Sequence, residues 1–260
     1  MEPIQTAIEN GVAVLTLNNP SRMNALSLGM TDRLLILLQE IAQDSSVGVV
    51  VLTGAGRGFC AGGDVKAMAE GGSSLPEAAV ARLRARAEVS RLLHEIPKIT
   101  IAMVNGPAAG AGLSLALACD MRIAGASARF STSFVKVGLS GDFGCSYFLK
   151  NLVGSARARE LFFSGEMVDA ERALTLGMVN RVVADENLAS ETLAYAQRLA
   201  QGPRIAYGHM KRALNAADSA TLAEVLDIEC FGQVRCRNTD DHKEAARAFV
   251  ERRPPVFNGS

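Results

Sequence analysis

Two stretches of small residues are where this sequence could do chemistry. Ala108-Ala109-Gly110-Ala111-Gly112 follows a turn signal, Asn105-Gly106-Pro107, and runs into the apolar segment Leu113–Cys119. Thr53-Gly54-Ala55-Gly56-Arg57-Gly58-Phe59-Cys60-Ala61-Gly62-Gly63-Asp64 follows a mostly β-branched run, Val49–Leu52. Small residues let another group approach the backbone closely. The first N–H groups of a helix lack partners within it, and the dipole there is positive. Two such turns converging on one oxygen would stabilise an enolate or a tetrahedral intermediate. Backbone donors move no proton, so any acid or base must be a side chain.

Few side chains qualify. Asp142, in Gly138-Leu139-Ser140-Gly141-Asp142-Phe143-Gly144, reads on its own as a helix N-cap. Asp64 reads as structural, and Asp120 as an anchor for the turn after the central helix. His94, before Pro97, reads as a surface or C-capping residue; His209 and His242 fall on no motif. The five cysteines (Cys60, Cys119, Cys145, Cys230, Cys236) are scattered, with no CxxC pair. They predict buried free thiols in a reducing cytoplasm, and with three histidines at no ligand spacing they predict no metal site. Ser114 with His94 lies in no nucleophile motif, and Gly54–Phe59 lacks the third glycine of a dinucleotide loop.

The positioning elements follow from period and punctuation. Ile4–Glu9 and Val12–Asn18 flank Asn10-Gly11 as a hairpin, and Leu28–Gln43 carries apolar residues at helical spacing. Val47–Leu52 predicts a strand, Asp64–Leu75 a lid-like loop, and Pro76–Glu95 a helix begun by its proline. Ile99–Val104 predicts a buried strand leading to the central turn and helix. Beyond it come a strand at Met121–Ala124, an irregular stretch at Ala128–Val137, and helices at Asp142–Val153 and Ala156–Phe163. Asp169–Leu176 predicts a short helix capped by Asp169, and Met178–Val183 a last strand. Helices then fill Leu188–Gln201, Pro203–Ala216, Thr221–Gln233 and Asp240–Glu251. The shift divides the chain into a mixed α/β core, 1–186, and a C-terminal helical region, 187–260. Leu222, Val225, Leu226 and Ile228 leave apolar surface for the core or a neighbouring subunit to cover.

The chain has 260 residues, 48% of them hydrophobic, and a formal net charge of zero, so a sizeable core is expected and nucleic acid or anionic membrane is not. No apolar run reaches membrane-spanning length, and the N-terminal MEPIQTAIENG lacks the features of a signal peptide. A cytoplasmic location is the expectation.

Phe59-Cys60-Ala61-Gly62-Gly63-Asp64, followed by Val104-Asn105-Gly106-Pro107 and the run Ala108–Asp120, resembles the crotonase (enoyl-CoA hydratase/isomerase) superfamily. Asn18-Asn19-Pro20, Asn24-Ala25-Leu26 and Gly177-Met178-Val179 fit the same pattern, and the likeness runs through roughly the whole chain. The resemblance implies an α/β crotonase-like ββα spiral with a C-terminal helical trimerisation region. It implies homotrimers or dimers of trimers, and an acyl-CoA thioester as ligand. Coenzyme A would be part of the substrate, with no separate cofactor. The two oxyanion N–H groups fall on Gly63 and Ala111. CoA contacts fall on the loop with Arg22, Met23 and Ala25, with Lys66 and Lys211 as further candidates. Substrate-binding positions also include Ala61, Gly62, Asp64, Val65, Gly110, Ser114 and Phe134.

The two glutamates that position water in the family's hydratases fall on Ser114 and Phe134, and neither residue can do that work. Asp142 falls where some isomerases of the family, including dienoyl-CoA and ring-epoxide phenylacetyl-CoA isomerases, carry an acid/base aspartate. One carboxylate suffices to move a double bond through an enolate, without activated water. Phe134 and Phe143 would exclude water and raise the pKa of Asp142. Met68, Phe130 and Phe148 could line an acyl pocket with them. The alternatives are an enoyl-CoA hydratase or dehydratase, an aryl-CoA dehalogenase with Asp142 as nucleophile, and a non-catalytic acyl-CoA binder.

Overall fold

The computed structural model describes residues 2–64 and 75–260. β1 (Ile4–Glu9) and β2 (Val12–Leu17) form the expected antiparallel hairpin, with Asn10 and Gly11 both at positive φ in the turn. β3 (Val49–Gly54) and β4 (Ile99–Val104) add in parallel, followed by β6 (Met121–Gly125) and β9 (Arg181–Val183). A smaller sheet joins β5 (Ala108–Ala109), β7 (Arg129–Ser131) and β8 (Val168–Asp169).

The helices sit close to their expected places. α1 (Leu28–Gln43) starts at Ser27, whose side chain accepts from Met30 N. α2 (Pro76–Glu95) has proline in its first turn. α3 (Ala111–Ala118) is buried at every residue, as a helix without a polar face must be. α4 (Cys145–Ser164) is two limbs broken at Gly154 (φ 77°, ψ 163°), which is why its sequence reads as two helices. α5 (Ala170–Thr175) is capped by Asp169, which accepts from Arg172 N. α6 (Leu188–Ala200), α7 (Arg204–Ala217), α8 (Leu222–Arg237) and α9 (Asp240–Glu251) close the chain.

The chain coils. Each turn lays a strand in the large sheet, then a short extended segment, then a helix. The short segments stack turn on turn: Leu26 bridges Gly63, Cys60 bridges Ala108, and Ala108 pairs with Phe130. This is the expected ββα spiral. The stretch 128–137, expected to be irregular, contains β7 and the 3-10 turn Phe134–Val137, because the coil needs a stacking segment there too.

Two apolar layers hold the large sheet. Val50, Leu52, Ala102 and Val104 face α1–α4, while Val49, Val51, Ile101 and Met103 face Leu188, Ala196 and Ala200 of α6. β3 is buried throughout, as a parallel strand covered on both faces should be. Packing therefore crosses residue 186: α6 seals the core, and α7–α9 lie beyond it. No helix among the described residues is long and apolar enough to cross a membrane.

Candidate active site

Two successive turns of the coil bring the small-residue stretches together. Cys60 N donates to Pro107 O (3.1 Å) and Ala109 N to Cys60 O (2.9 Å). A Cβ on Gly112 would stand 2.3 Å from Cys60 O, and one on Gly62 would stand 2.6 Å from Ala109 O and 3.2 Å from Ala111 N. Gly62 also has a φ of +89°, so glycine is required there twice over. Leu26 N donates to Gly62 O (2.7 Å), and the Leu26–Gly63 bridge is parallel, which turns the Gly63 N–H away from Leu26. Gly110, the N-cap of α3, has no side chain to satisfy the helix start. Among the described residues, neither the Gly63 nor the Ala111 N–H donates to a protein acceptor.

The third turn supplies a carboxylate. Asp142 lies in a loop, not on a helix. α4 starts at Cys145 with Gly144 as its N-cap, and Asp142 gives only its main-chain oxygen to Cys145 N (3.1 Å). The N-cap reading of its side chain is thus corrected: positive φ at Gly141 (109°), Phe143 (50°) and Gly144 (80°) keeps the helix from beginning earlier. Asp142 Oδ1 is buried and has no hydrogen-bond partner, and burial pushes its pKa up from the usual carboxylate range. Phe134 is buried beside it: Cβ atoms built on Gly110 and Gly141 would stand 3.6 and 3.7 Å from its ring, which stacks on Phe162 at 6.1 Å. Ser114, one turn into α3, is fully buried, its hydroxyl 3.1 Å from Asp142 O.

Unpaired backbone donors on two turns of the coil, a partly buried carboxylate on the third and the apolar Phe134 are thus gathered on neighbouring turns. The Enoyl-CoA hydratase/isomerase family model matches residues 7–260. The chain belongs to that family. It is 38% identical over 260 residues to the 1,2-epoxyphenylacetyl-CoA isomerase of Escherichia coli (strain K12), covering 100% of this chain and 99% of that one. It is 35% identical over 248 residues to the short-chain-enoyl-CoA hydratase of Clostridium acetobutylicum, covering 94% and 93%. The solved structure of an enoyl-CoA hydratase from Polaromonas sp. JS666 superposes with a TM-score of 0.93 at 34% identity, over 98% of this chain and 99% of that one. The fold is therefore crotonase-like and the chain is an enzyme of this family.

The remaining expected positions fall as follows. Arg22, Met23 and Ala25 form the loop beside the Gly62 turn: Ala61 N donates to Met23 O (2.9 Å), and Arg22 pairs with Asp64. Val65, Lys66 and Met68, with most of the expected lid, lie outside the described residues. Phe130 belongs to the core. Lys211 is not available to CoA. It is buried, paired with Asp120 at 2.9 Å and bonded to Leu93 O and Lys98 O, both 3.0 Å away, so it clamps α7 to the core. His94 is not a surface cap: it is half-buried with its ring edge-on to Phe148 at 5.2 Å, and burial, aided by Lys211, lowers its pKa. It lines a cavity of about 1120 Å³ between α2, α4 and α7 that, among the described residues, meets the Asp142 loop at Phe143 and Gly144. Burial pushes the Cys60, Cys119 and Cys145 thiols up to about 12, leaving them inert, whereas Cys230 is exposed and Cys236 half-buried, against the expectation of five buried thiols; no group of metal-ligating side chains occurs among the described residues.

Sequence reading missed the residues that hold the loops. Asn24 Nδ2 donates to Ala55 O (2.9 Å) and Gly58 O (2.8 Å), and Asn105 Nδ2 to Gly54 O and Gly56 O, both 2.9 Å away. Arg122, 3% exposed, donates to Cys119 O (2.6 Å) and Met178 O (2.7 Å), closing the C-terminal end of α3. The signal was present: an asparagine beside glycine turns, and an arginine inside an apolar strand, both need buried carbonyls to bond.

Proposed function

We propose that this enzyme moves a double bond, or rearranges a ring-bearing acyl group, within an acyl-CoA thioester. The Gly63 and Ala111 N–H groups receive the thioester oxygen. The Asp142 carboxylate removes a proton from carbon, the enolate charge passes to that oxygen, and the carboxylic acid so formed returns the proton at another carbon. Protons balance and no water is consumed. Arg22, Met23 and Ala25 contact CoA in this reading. The observation that carries it is the partly buried Asp142 carboxylate, whose Oδ1 has no hydrogen-bond partner; the family resemblance, which puts Ser114 and Phe134 at the hydratase glutamate positions, supports it. The similarity to an isomerase over the full chain supports it.

The test is one mass-spectrometric experiment in heavy water with aliphatic and aryl 2-enoyl- and 3-enoyl-CoA esters. Deuterium uptake with bond migration is expected, lowered about 10²–10⁴-fold by Asp142→Asn, the usual worth of a positioned acid–base group. A product heavier by one water would mean a hydratase, the reading favoured by the hydratase relatives, and would sink the single-carboxylate argument. Ester binding with neither change would leave a binding protein.

A further inference from the structure

Ser114 stands one helical turn beyond Ala111, and its hydroxyl lies between two carbonyls: Gly110 O at 3.2 Å and Asp142 O at 3.1 Å. A hydroxyl has one proton to give. The Gly110 contact is the ordinary bond of a helical serine to the carbonyl four residues back. The Asp142 contact crosses to the next turn of the coil. Neither carbonyl depends on it, since Gly110 O receives Ser114 N (3.0 Å) and Asp142 O receives Cys145 N (3.1 Å). The hydroxyl also meets the Cys145 side chain at the start of α4, on the Asp142 side, and it is not needed to satisfy either carbonyl. What it adds is a fixed spacing between the helix that presents the Ala111 N–H and the loop that presents the carboxylate. That loop has little regular structure of its own, with Gly141, Phe143 and Gly144 at positive φ.

We infer that Ser114 is a positioning residue: its hydroxyl ties the Asp142 loop to the first turn of the oxyanion helix. The inference rests on the acid/base reading of Asp142. It also gives position 114 a reason to be small. A glutamate there, fully buried under Asp142 O, would push the loop away, so this site holds a tether in place of a second acid.

The experiment compares Ser114→Ala, Ser114→Thr and Asp142→Asn in the same isomerisation assay, with kcat and KM measured across pH and thermal melting alongside. Ser114→Ala is expected to melt near the parent temperature and to lose about 10–100-fold in kcat, the scale of a base displaced by about an ångström, with KM little changed. Its acid limb should move to lower pH, because a loosened carboxylate meets water. Ser114→Thr, which keeps the hydroxyl, should restore that limb. Parent kcat and an unmoved acid limb in Ser114→Ala would assign the proton to Gly110 O and overturn the inference. So would a fall in kcat with the limb unmoved, or a well-folded Ser114→Thr that fails to restore it. If Asp142→Asn keeps full turnover, the isomerase reading itself fails; if it is inactive while Ser114→Ala behaves as the parent, only the tether is lost.

Discussion

In the proposed mechanism the carboxylate needs more basicity than a water-exposed aspartate offers, and the partial burial of Asp142 acts in that direction. The aspartate, its glycine-bearing loop and the apolar cover of Phe134 and Phe143 were legible in the sequence; the contact with Ser114 of α3 was not, because α3 comes from the preceding turn of the coil. The same burial has a stability consequence whose sign is fixed. The folded pKa is raised by burial, so the protonated form is the one the fold favours. Its contribution is most favourable below the unfolded pKa of about 3.9 and is lost as pH rises through the folded pKa. Asp142→Asn should therefore melt higher than the parent at pH 7, by about 2–4 °C for each 1 kcal/mol recovered, and the gap should close as pH falls below about 4. Calorimetry across pH decides it: a variant that melts lower at pH 7 would mean the ionised carboxylate is stabilised in the fold. In the parent, the acid limb of kcat/KM should lie above the ordinary carboxylate range, since the base must ionise first.

At the scale of elements, most boundaries could be read directly, since α1, α2 and β4 follow apolar period and proline punctuation. Two features could not. α4 begins at Cys145 rather than at Asp142, because positive φ values at Phe143 and Gly144 are a property of packing rather than of composition. The close approach of the Gly62 turn to Ala111 depends on parallel bridges between coil turns, which leave no local mark. Gly112 shows which effect governs. Helix propensity alone says Gly112→Ala should help α3 by about 0.5–1 kcal/mol. The geometry says otherwise, since the new Cβ would stand 2.3 Å from Cys60 O, a backbone atom that cannot swing aside. Gly112→Ala is expected to force the turns apart, destabilise the protein and lower kcat about 10²–10³-fold, the cost of losing an oxyanion donor. A variant with parent melting temperature and kcat would show that the contact between these turns does not set the site.

At the scale of the whole molecule, the helices beyond the core are under-packed. α8 has sixteen residues and buries only Gly232, while Leu222 on α8 is 75% exposed and Phe249 on α9 is 85% exposed. Leu214, Phe231 and Val234 are exposed as well, and a cavity of about 790 Å³ lies between α7 and α8. A single chain rarely leaves so much apolar area in water, and this is the region the sequence marked as needing cover. The number of copies is not written in it, because an apolar face specifies burial and not symmetry; the trimer or dimer of trimers comes from the family likeness. Sedimentation is expected to find such an assembly, and Leu222→Asp with Phe249→Arg to shift it toward monomer by placing charge where the faces meet. α6 and the Lys211–Asp120 clamp tie the helical region to the core independently of that face. The dissociated variant should therefore keep its helical content and lose thermal stability in a concentration-dependent way. A parent chain that sediments as a monomer, or a double variant that assembles like the parent, would place the subunit contact elsewhere.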